Sequence, residues 1–360
     1  MPVSEQSTGV VRTSVRAREI LLAAGLFVLG FLFAAALLHT LLPDPINLHA
    51  DMRSEKLAML ASWQGRYTSA AFGSSHVHNG FDAKSFDRAF NKTRSANLAI
   101  AGGSQSEQRV MALRFVRQLT PPDVPSACLV LLELGAGVNF TADHLVHPRA
   151  IDIYDLPTAR LVTHFVTPGM SLTQRFGRQG YAVAAAGLHY ANIGMLSNLI
   201  FAPPLDPALL ADQTRDDRRG QRVESFSAAN QPSMRRELAS LDLAHPTPEP
   251  EILSPGHAEL IEQLTRASPV HGLAFAYVKM PLINDPAHLP TLPDHLTVDG
   301  QQVPIVDLAR PDRYPQLYNL RLWHDDSHLT GEGAALASTL LAQQLTLWYA
   351  QHGSPAPCTR

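Results

Sequence analysis

From Ile20 to Leu38 the chain carries no charged residue and is almost wholly apolar, and apolarity resumes at Leu41 and Leu42. That is about the length one helix needs to cross a bilayer. A run of this kind commits one segment to lipid and leaves the rest to fold outside it. Arg12, Arg16 and Arg18 precede the run, while Asp44 and Asp51 follow it. The positive-inside bias places the first residues in the cytoplasm and the remainder outside. A cleaved signal peptide is the competing reading. The run is long for one, and Ala34-Ala35-Ala36 lies inside it rather than after it. The expectation is an uncleaved signal anchor in the inner (plasma) membrane. Residues 1–19 are then a cytoplasmic tail, 20–42 a single transmembrane anchor, and the main domain is periplasmic.

With 45% hydrophobic and 17% charged residues over 360 positions, the remainder has the composition of a folded domain. A net charge of -3 gives no electrostatic reason to expect nucleic acid as a partner. The stretch Arg215–Arg222 mixes both signs, as solvated loops do. Of the two cysteines, Cys128 lies in an apolar run and Cys358 is third from the end. No disulfide framework is expected from them, no CxxC spacing suggests zinc, and they do not fix the redox compartment. No metal and no cofactor is expected.

After a connector at 43–64, strand and helix signals alternate. A strand over Tyr67–Phe72 ends in Gly73-Ser74-Ser75, and a short helix is predicted over Ser85–Phe90. A second strand, Asn97–Ala101, ends in Gly102-Gly103. Ser104 and Glu107 then have capping-box spacing ahead of a helix with Val110, Leu113, Val116 and Leu119 on one face. Cys128–Leu134 is nearly continuous in apolar residues, as buried parallel strands are. Strands are also predicted over Leu273–Val278 and Val303–Asp307, with a final helix from about Gly331 to Ala350. The alternation predicts a doubly wound α/β sheet. Between about 140 and 270 the signals are helical or loop-like, so a helical insertion is expected there. Gly180–Leu205 is uncharged but only weakly apolar. A second crossing there would put the C-terminal motif across the membrane from Ser75, so it is read as a buried or membrane-facing helix.

Three elements carry chemistry. Ser75 follows the first strand, where a hydroxyl would sit at the carboxyl edge of a parallel sheet, the usual place for ligands. A helix starting there offers free backbone N–H groups to a developing oxyanion. Asp325 lies three residues before His328 in Trp323-His324-Asp325-Asp326-Ser327-His328-Leu329. That spacing lets the carboxylate hold one imidazole nitrogen while the other faces a serine. Asp326 and His324 are weaker alternatives. Gly102 and Gly103 follow the second strand, and either N–H is a candidate second oxyanion donor. Taken singly, each element is also what an ordinary turn or cap looks like. His76 and His78 are read as solvated loop histidines that also flank the serine. Glu133 is either an acceptor behind the site or an exposed strand end.

The order of these elements resembles SGNH or GDSL-type hydrolases and acyltransferases. Phe72-Gly73-Ser74-Ser75-His76-Val77 with Gly80-Phe81-Asp82 resembles the first block of bacterial membrane-anchored SGNH-like envelope proteins. Leu98–Gln108 resembles their second block and Asp325–Ala334 their terminal block. The resemblance implies Ser75 as nucleophile, His328 as base, Asp325 as its partner and Gly102 as an oxyanion donor. The family's third block often carries an oxyanion asparagine. Asn139 is the nearest candidate here, in a stretch that matches that block poorly, and Asn79 is another. Ser74 and Gly103 complete the expected oxyanion and substrate-binding group.

The expectation is therefore a flavodoxin-like three-layer parallel sheet of the SGNH type over 65–352, with an insertion at about 140–270, an N-terminal transmembrane helix and a tail at 353–360. Its expected activity is that of a serine esterase or O-acyltransferase working through an acyl-enzyme. By resemblance the ester-bearing substrate is an O-acetylated envelope polysaccharide. The alternative is a non-catalytic SGNH-like membrane protein that assists assembly or export of an envelope polymer. No protein partner is implied.

Overall fold

The computed structural model describes residues 9–41, 52–62, 65–120, 127–135, 153–165, 170–192, 218–241, 253–283 and 291–353, with positions 208, 211, 215, 355, 358 and 359. In chain order the helices before the sheet are α1 (Gly9–Leu41) and α2 (Met52–Ser62). Next come β1 (Ser69–Phe72), α3 (Ser75–Gly80), α4 (Ala83–Phe90), β2 (Ser95–Asn97), α5 (Gln105–Gln118) and β3 (Cys128–Glu133). Helices α6 (Leu156–His164), α7 (Leu172–Tyr190), α8 (Gln231–Ser240) and α9 (Pro255–Ala267) follow. The chain closes with β4 (Leu273–Lys279), β5 (His295–Val298), β6 (Gln301–Asp307) and α10 (Gly331–His352).

The six strands form one mixed sheet in the order β2-β1-β3-β4-β6-β5. All neighbours are parallel except β5 and β6. The central strand β3 is buried on both faces, which explains its unbroken apolar run. Val130 and Leu132 face a core with Phe115 and Val116 of α5 and Leu260 and Leu264 of α9. Leu129 and Leu131 face the opposite core, with Val77 of α3, Phe86 of α4 and Leu341 and Leu345 of α10. The sheet is thus sandwiched between two helical layers. Ser104 and Glu107 form the capping box at the start of α5. Helices α6–α9 lie between β3 and β4, in the stretch whose sequence signals are helical or loop-like.

Two features depart from the sequence reading. First, β5 and β6 form an antiparallel hairpin at the sheet edge, turned by Asp299 and Gly300, both at positive φ. The Asp-Gly pair is the signal for such a turn. Second, Cys128 and Cys358 form a disulfide, with their Cα atoms 5.3 Å apart. A separation of 230 residues leaves no spacing signature. The pairing arises because Thr359 exchanges backbone hydrogen bonds with His271, just before β4, so the tail lies beside the start of β3.

Ala17–Leu41 of α1 is long and apolar enough to cross a membrane, and its side chains are almost all exposed. Among the described residues it is the one helix that meets this standard.

Candidate active site

The carboxyl edge of the sheet is where the chemistry-bearing residues gather. Strand β1 ends at Phe72, Ser74 caps α3, and Ser75 is the first residue of that helix, half-buried. Gly73 suits this corner because a Cβ there would lie 2.6 Å from the Cβ of Glu133 and 2.8 Å from a methyl of Val77. Glu133, at the end of β3, is buried at 2% exposure. Its carboxylate accepts from the Ser74 N–H and, at 3.0 Å, from the Ser74 hydroxyl. It also lies 3.2 Å from Nδ1 of His76. The Glu133 backbone is itself clasped by Gln108, which accepts from its N–H at 2.8 Å and donates to its carbonyl at 3.3 Å. Asn97, at the end of β2, holds the far end of α3 by donating to the Val77, His78 and Phe81 carbonyls. The nucleophile candidate thus sits on a short helix pinned at both ends by polar side chains from neighbouring strands.

The Asp/His loop is equally constrained. Trp323 is fully buried and donates from its indole to the Leu317 carbonyl at 2.9 Å. Trp323 and Leu329 bridge across the loop, and Thr330 caps α10 through the Gly333 N–H. Within the loop, His328 Nδ1 lies 2.9 and 2.8 Å from the two Asp325 oxygens. Asp325 also accepts from the backbone N–H groups of Ser327 and His328. Partial burial works to raise the Asp325 carboxyl, but the His328 hydrogen bond, the backbone N–H groups and the His328 charge outweigh it. The net position is below the ordinary aspartate value. Asp326 is not the partner. His324 turns instead to the Ser225 carbonyl at 2.6 Å.

Both elements meet across α3. The His76 and His328 rings are 5.9 Å apart between centroids. A Cβ on Gly80 of α3 would touch Leu329, the residue after His328, at 3.6 Å. The second nitrogen of His328, Nε2, is buried and has no hydrogen-bond partner. No hydrogen bond joins it to Ser75. His78, on the same helix, is 1% exposed rather than a solvated loop residue. Burial pushes its imidazole well below the ordinary histidine range, with Lys56, Arg222 and His328 adding to the effect.

The expected oxyanion group separates into different roles. Gly103 donates its N–H to the Ile100 carbonyl at 2.8 Å, so it has no N–H left for a substrate. Its lack of a side chain serves packing, since a Cβ would sit 2.7 Å from the Gly73 carbonyl oxygen. Gly102 is at positive φ, beside the same corner, and its N–H makes no backbone bond. Ser74 is committed to Glu133 and to capping α3, so it positions the corner. Asn139 lies outside the described residues. Asn79 is buried on α3 with Oδ1 unpartnered.

A segment at 218–225 straps this region from outside. Its backbone reaches Asn97, His78 and Gly331, and the Arg219 guanidinium pairs with Asp87 of α4 at 2.6 Å. The Gly220 carbonyl accepts from Lys56 Nζ, which also donates to the Asn97 carbonyl at 2.9 Å. The sequence marks the strap only as a mixed-charge loop, and Lys56 carries no sequence signal. Glu133 and Gln108 show in sequence only as polar groups next to apolar runs. Among the described residues no cluster of three or more His, Cys, Asp or Glu forms a metal site.

No protein-family model matches this chain, and no curated protein matches it at a significant level.

Proposed function

We propose that the chain is a serine esterase or O-acyltransferase of the SGNH type, held at the membrane by α1. The observation that carries this reading is His328: Asp325 grips its Nδ1, while its Nε2 is buried, unpartnered and adjacent to the helix that begins with Ser75. An imidazole whose Nδ1 is held by a carboxylate while its Nε2 stays available is the arrangement that a general base requires. The strand order, leaving aside the edge strand β5, is that of flavodoxin-like doubly wound sheets, whose ligands bind at the carboxyl edge. The disulfide fits an oxidising compartment and therefore supports placing the domain outside the cytoplasm.

In this mechanism Ser75 Oγ attacks the ester carbonyl and its proton passes to His328 Nε2. Asp325 stabilises the imidazolium through Nδ1. The backbone N–H groups of Ser75 and Gly102 receive the charge that develops on the carbonyl oxygen. Collapse of the tetrahedral intermediate expels the alcohol, which takes the proton from His328, and leaves an acyl-Ser75 ester. Water or a carbohydrate hydroxyl then attacks that ester, with His328 again accepting the proton. The products are the acid or a new ester, and Ser75 is restored. O-acetyl groups of an envelope polysaccharide are the proposed substrate, on the resemblance of the sequence blocks.

The missing Ser75–His328 hydrogen bond favours a second reading, a non-catalytic relative that assists assembly or export of an envelope polymer. Turnover of p-nitrophenyl acetate by the full chain in detergent separates the two. The enzyme reading expects turnover that Ser75→Ala and His328→Ala each abolish. Turnover unchanged in both variants contradicts it.

A further inference from the structure

One helix of the insertion carries an apolar face that the other described residues leave exposed. The fully buried residues of helix α7 are all small, Ala182, Ala185 and Ala186. Leu172, Phe176 and Val183 are 71%, 69% and 70% exposed, and Tyr190 is 39% exposed. At about 100° per residue these four positions fall within about 40° of one another around the helix, so they form one stripe. The only charges on α7 are Arg175 and Arg178, in its first two turns. From Gln179 to Tyr190 there is none. A stripe of large apolar side chains on a helix that is uncharged over its second half marks a surface that meets something other than water.

The position of α7 identifies what covers it. Its C-terminal end touches the apolar helix α1. Asn192 donates to the Ala35 carbonyl, and its Oδ1 lies 3.1 Å from His39 Nδ1. The His39 ring lies 5.0 Å from that of His189 and 5.4 Å from that of Tyr190. Ala35 is buried by this contact, in contrast to its exposed apolar neighbours in α1. A hydrocarbon layer of about 30 Å takes about 20 helical residues. Counted from Ile20, its far boundary falls near His39. The contact thus fixes one end of α7 at the level where hydrocarbon meets headgroups, and it gathers there the amphipathic rings that favour that level.

We infer that α7 lies in the membrane interface, with Leu172, Phe176 and Val183 set into the lipid, Tyr190 at its boundary, and α1 crossing the bilayer at its C-terminal end. The chain then has two attachments, one spanning and one lying on the surface. The second prevents the α/β domain from swinging freely about a single tether and holds it in one orientation to the bilayer. The inference rests on α1 crossing the membrane.

Nitroxide labels on the full chain in phosphatidylcholine/phosphatidylglycerol nanodiscs test it. Both native cysteines are in the disulfide, so introduced cysteines label alone. Labels go on Phe176→Cys and Val183→Cys, on Leu29→Cys in α1, and on exposed Lys84→Cys in α4 as a water reference. Relaxation by oxygen reports lipid, and relaxation by a water-soluble nickel chelate reports solvent. The inference predicts that positions 176 and 183 shift to oxygen dominance, as position 29 does, while position 84 stays nickel-dominated. Nickel dominance at 176 and 183 with oxygen dominance at 29 overturns the inference and leaves the anchor standing. Exclusion of both reagents at 176 and 183 overturns it in favour of a protein cover. Nickel dominance at 29 overturns the anchor and the inference together.

Discussion

His328 Nδ1 lies within 2.9 Å of both oxygens of Asp325, three residues away on the same loop. The three-residue spacing lets the pair form within one loop, which the buried Trp323 and the Thr330 cap hold in place. Replacing the carboxylate by its amide keeps the shape but removes the charge and turns one of the two acceptor oxygens into a donor, so the tautomer with Nδ1–H is no longer enforced. Asp325→Asn is expected to lower kcat on the order of 10⁴-fold with little change in KM. Ester-hydrolysis kinetics check this, and a kcat within a few-fold of wild type contradicts the assigned pair.

Glu133 is expected to act as a positioning residue. It holds Ser74 and His76 on either side of Ser75. In Glu133→Gln an amide N–H group replaces one acceptor and faces a donor. The expected result is a fall in kcat of up to about 10²-fold with KM retained. A stability loss of about 1–3 kcal/mol should accompany it, because a buried donor is left unpaired. Steady-state kinetics alongside thermal unfolding separate the two effects, and Glu133→Asp should restore part of kcat.

Lys56 makes stability depend on pH. Burial lowers its ammonium from 10.5 to about 7 in the folded chain. A neutral amine has two N–H groups, which match the two carbonyls that it meets, Asn97 and Gly220. Between these two values the unfolded chain binds the proton and the folded chain does not, so stability from this group rises with pH there and is lowest below 7. The unfolding temperature of the full chain in detergent should rise between about pH 6.5 and 9, and Lys56→Met should show a shallower rise. Equal slopes contradict the assignment.

The Cys128–Cys358 disulfide ties the C-terminal tail to the start of β3. Protein taken from the cell envelope and denatured without reductant should add no maleimide-polyethylene glycol, and after reduction it should add two. Cys358→Ser is expected to lower stability by about 2–5 kcal/mol. Two additions without reductant would place the domain in a reducing compartment.

Much of the architecture is legible in the sequence because it follows short-range rules. The apolar run of β3, the capping box at Ser104, and the long apolar helix α1 each depend on a contiguous window of residues. Asp325 and His328 are legible for the same reason, being on one loop. What escapes is long-range. Glu133 meets Ser74 across 59 positions, and Lys56 meets Gly220 across 164. The disulfide spans 230. No local pattern encodes such pairs. The β5–β6 hairpin is the exception, since Asp299-Gly300 marks its turn locally. Gly103 shows the converse limit. Its place is legible, but only the fold reveals that its N–H is taken by Ile100 and that its role is close packing.

The central claim is that Ser75 is a nucleophile activated by His328, and a fluorophosphonate tests it most directly. Labelling of the full chain, followed by peptide mass spectrometry, locates any adduct. The account predicts one adduct, on Ser75, that disappears in Ser75→Ala and in His328→Ala while Ser74→Ala retains it. An adduct on another residue, or labelling that survives Ser75→Ala, would contradict it.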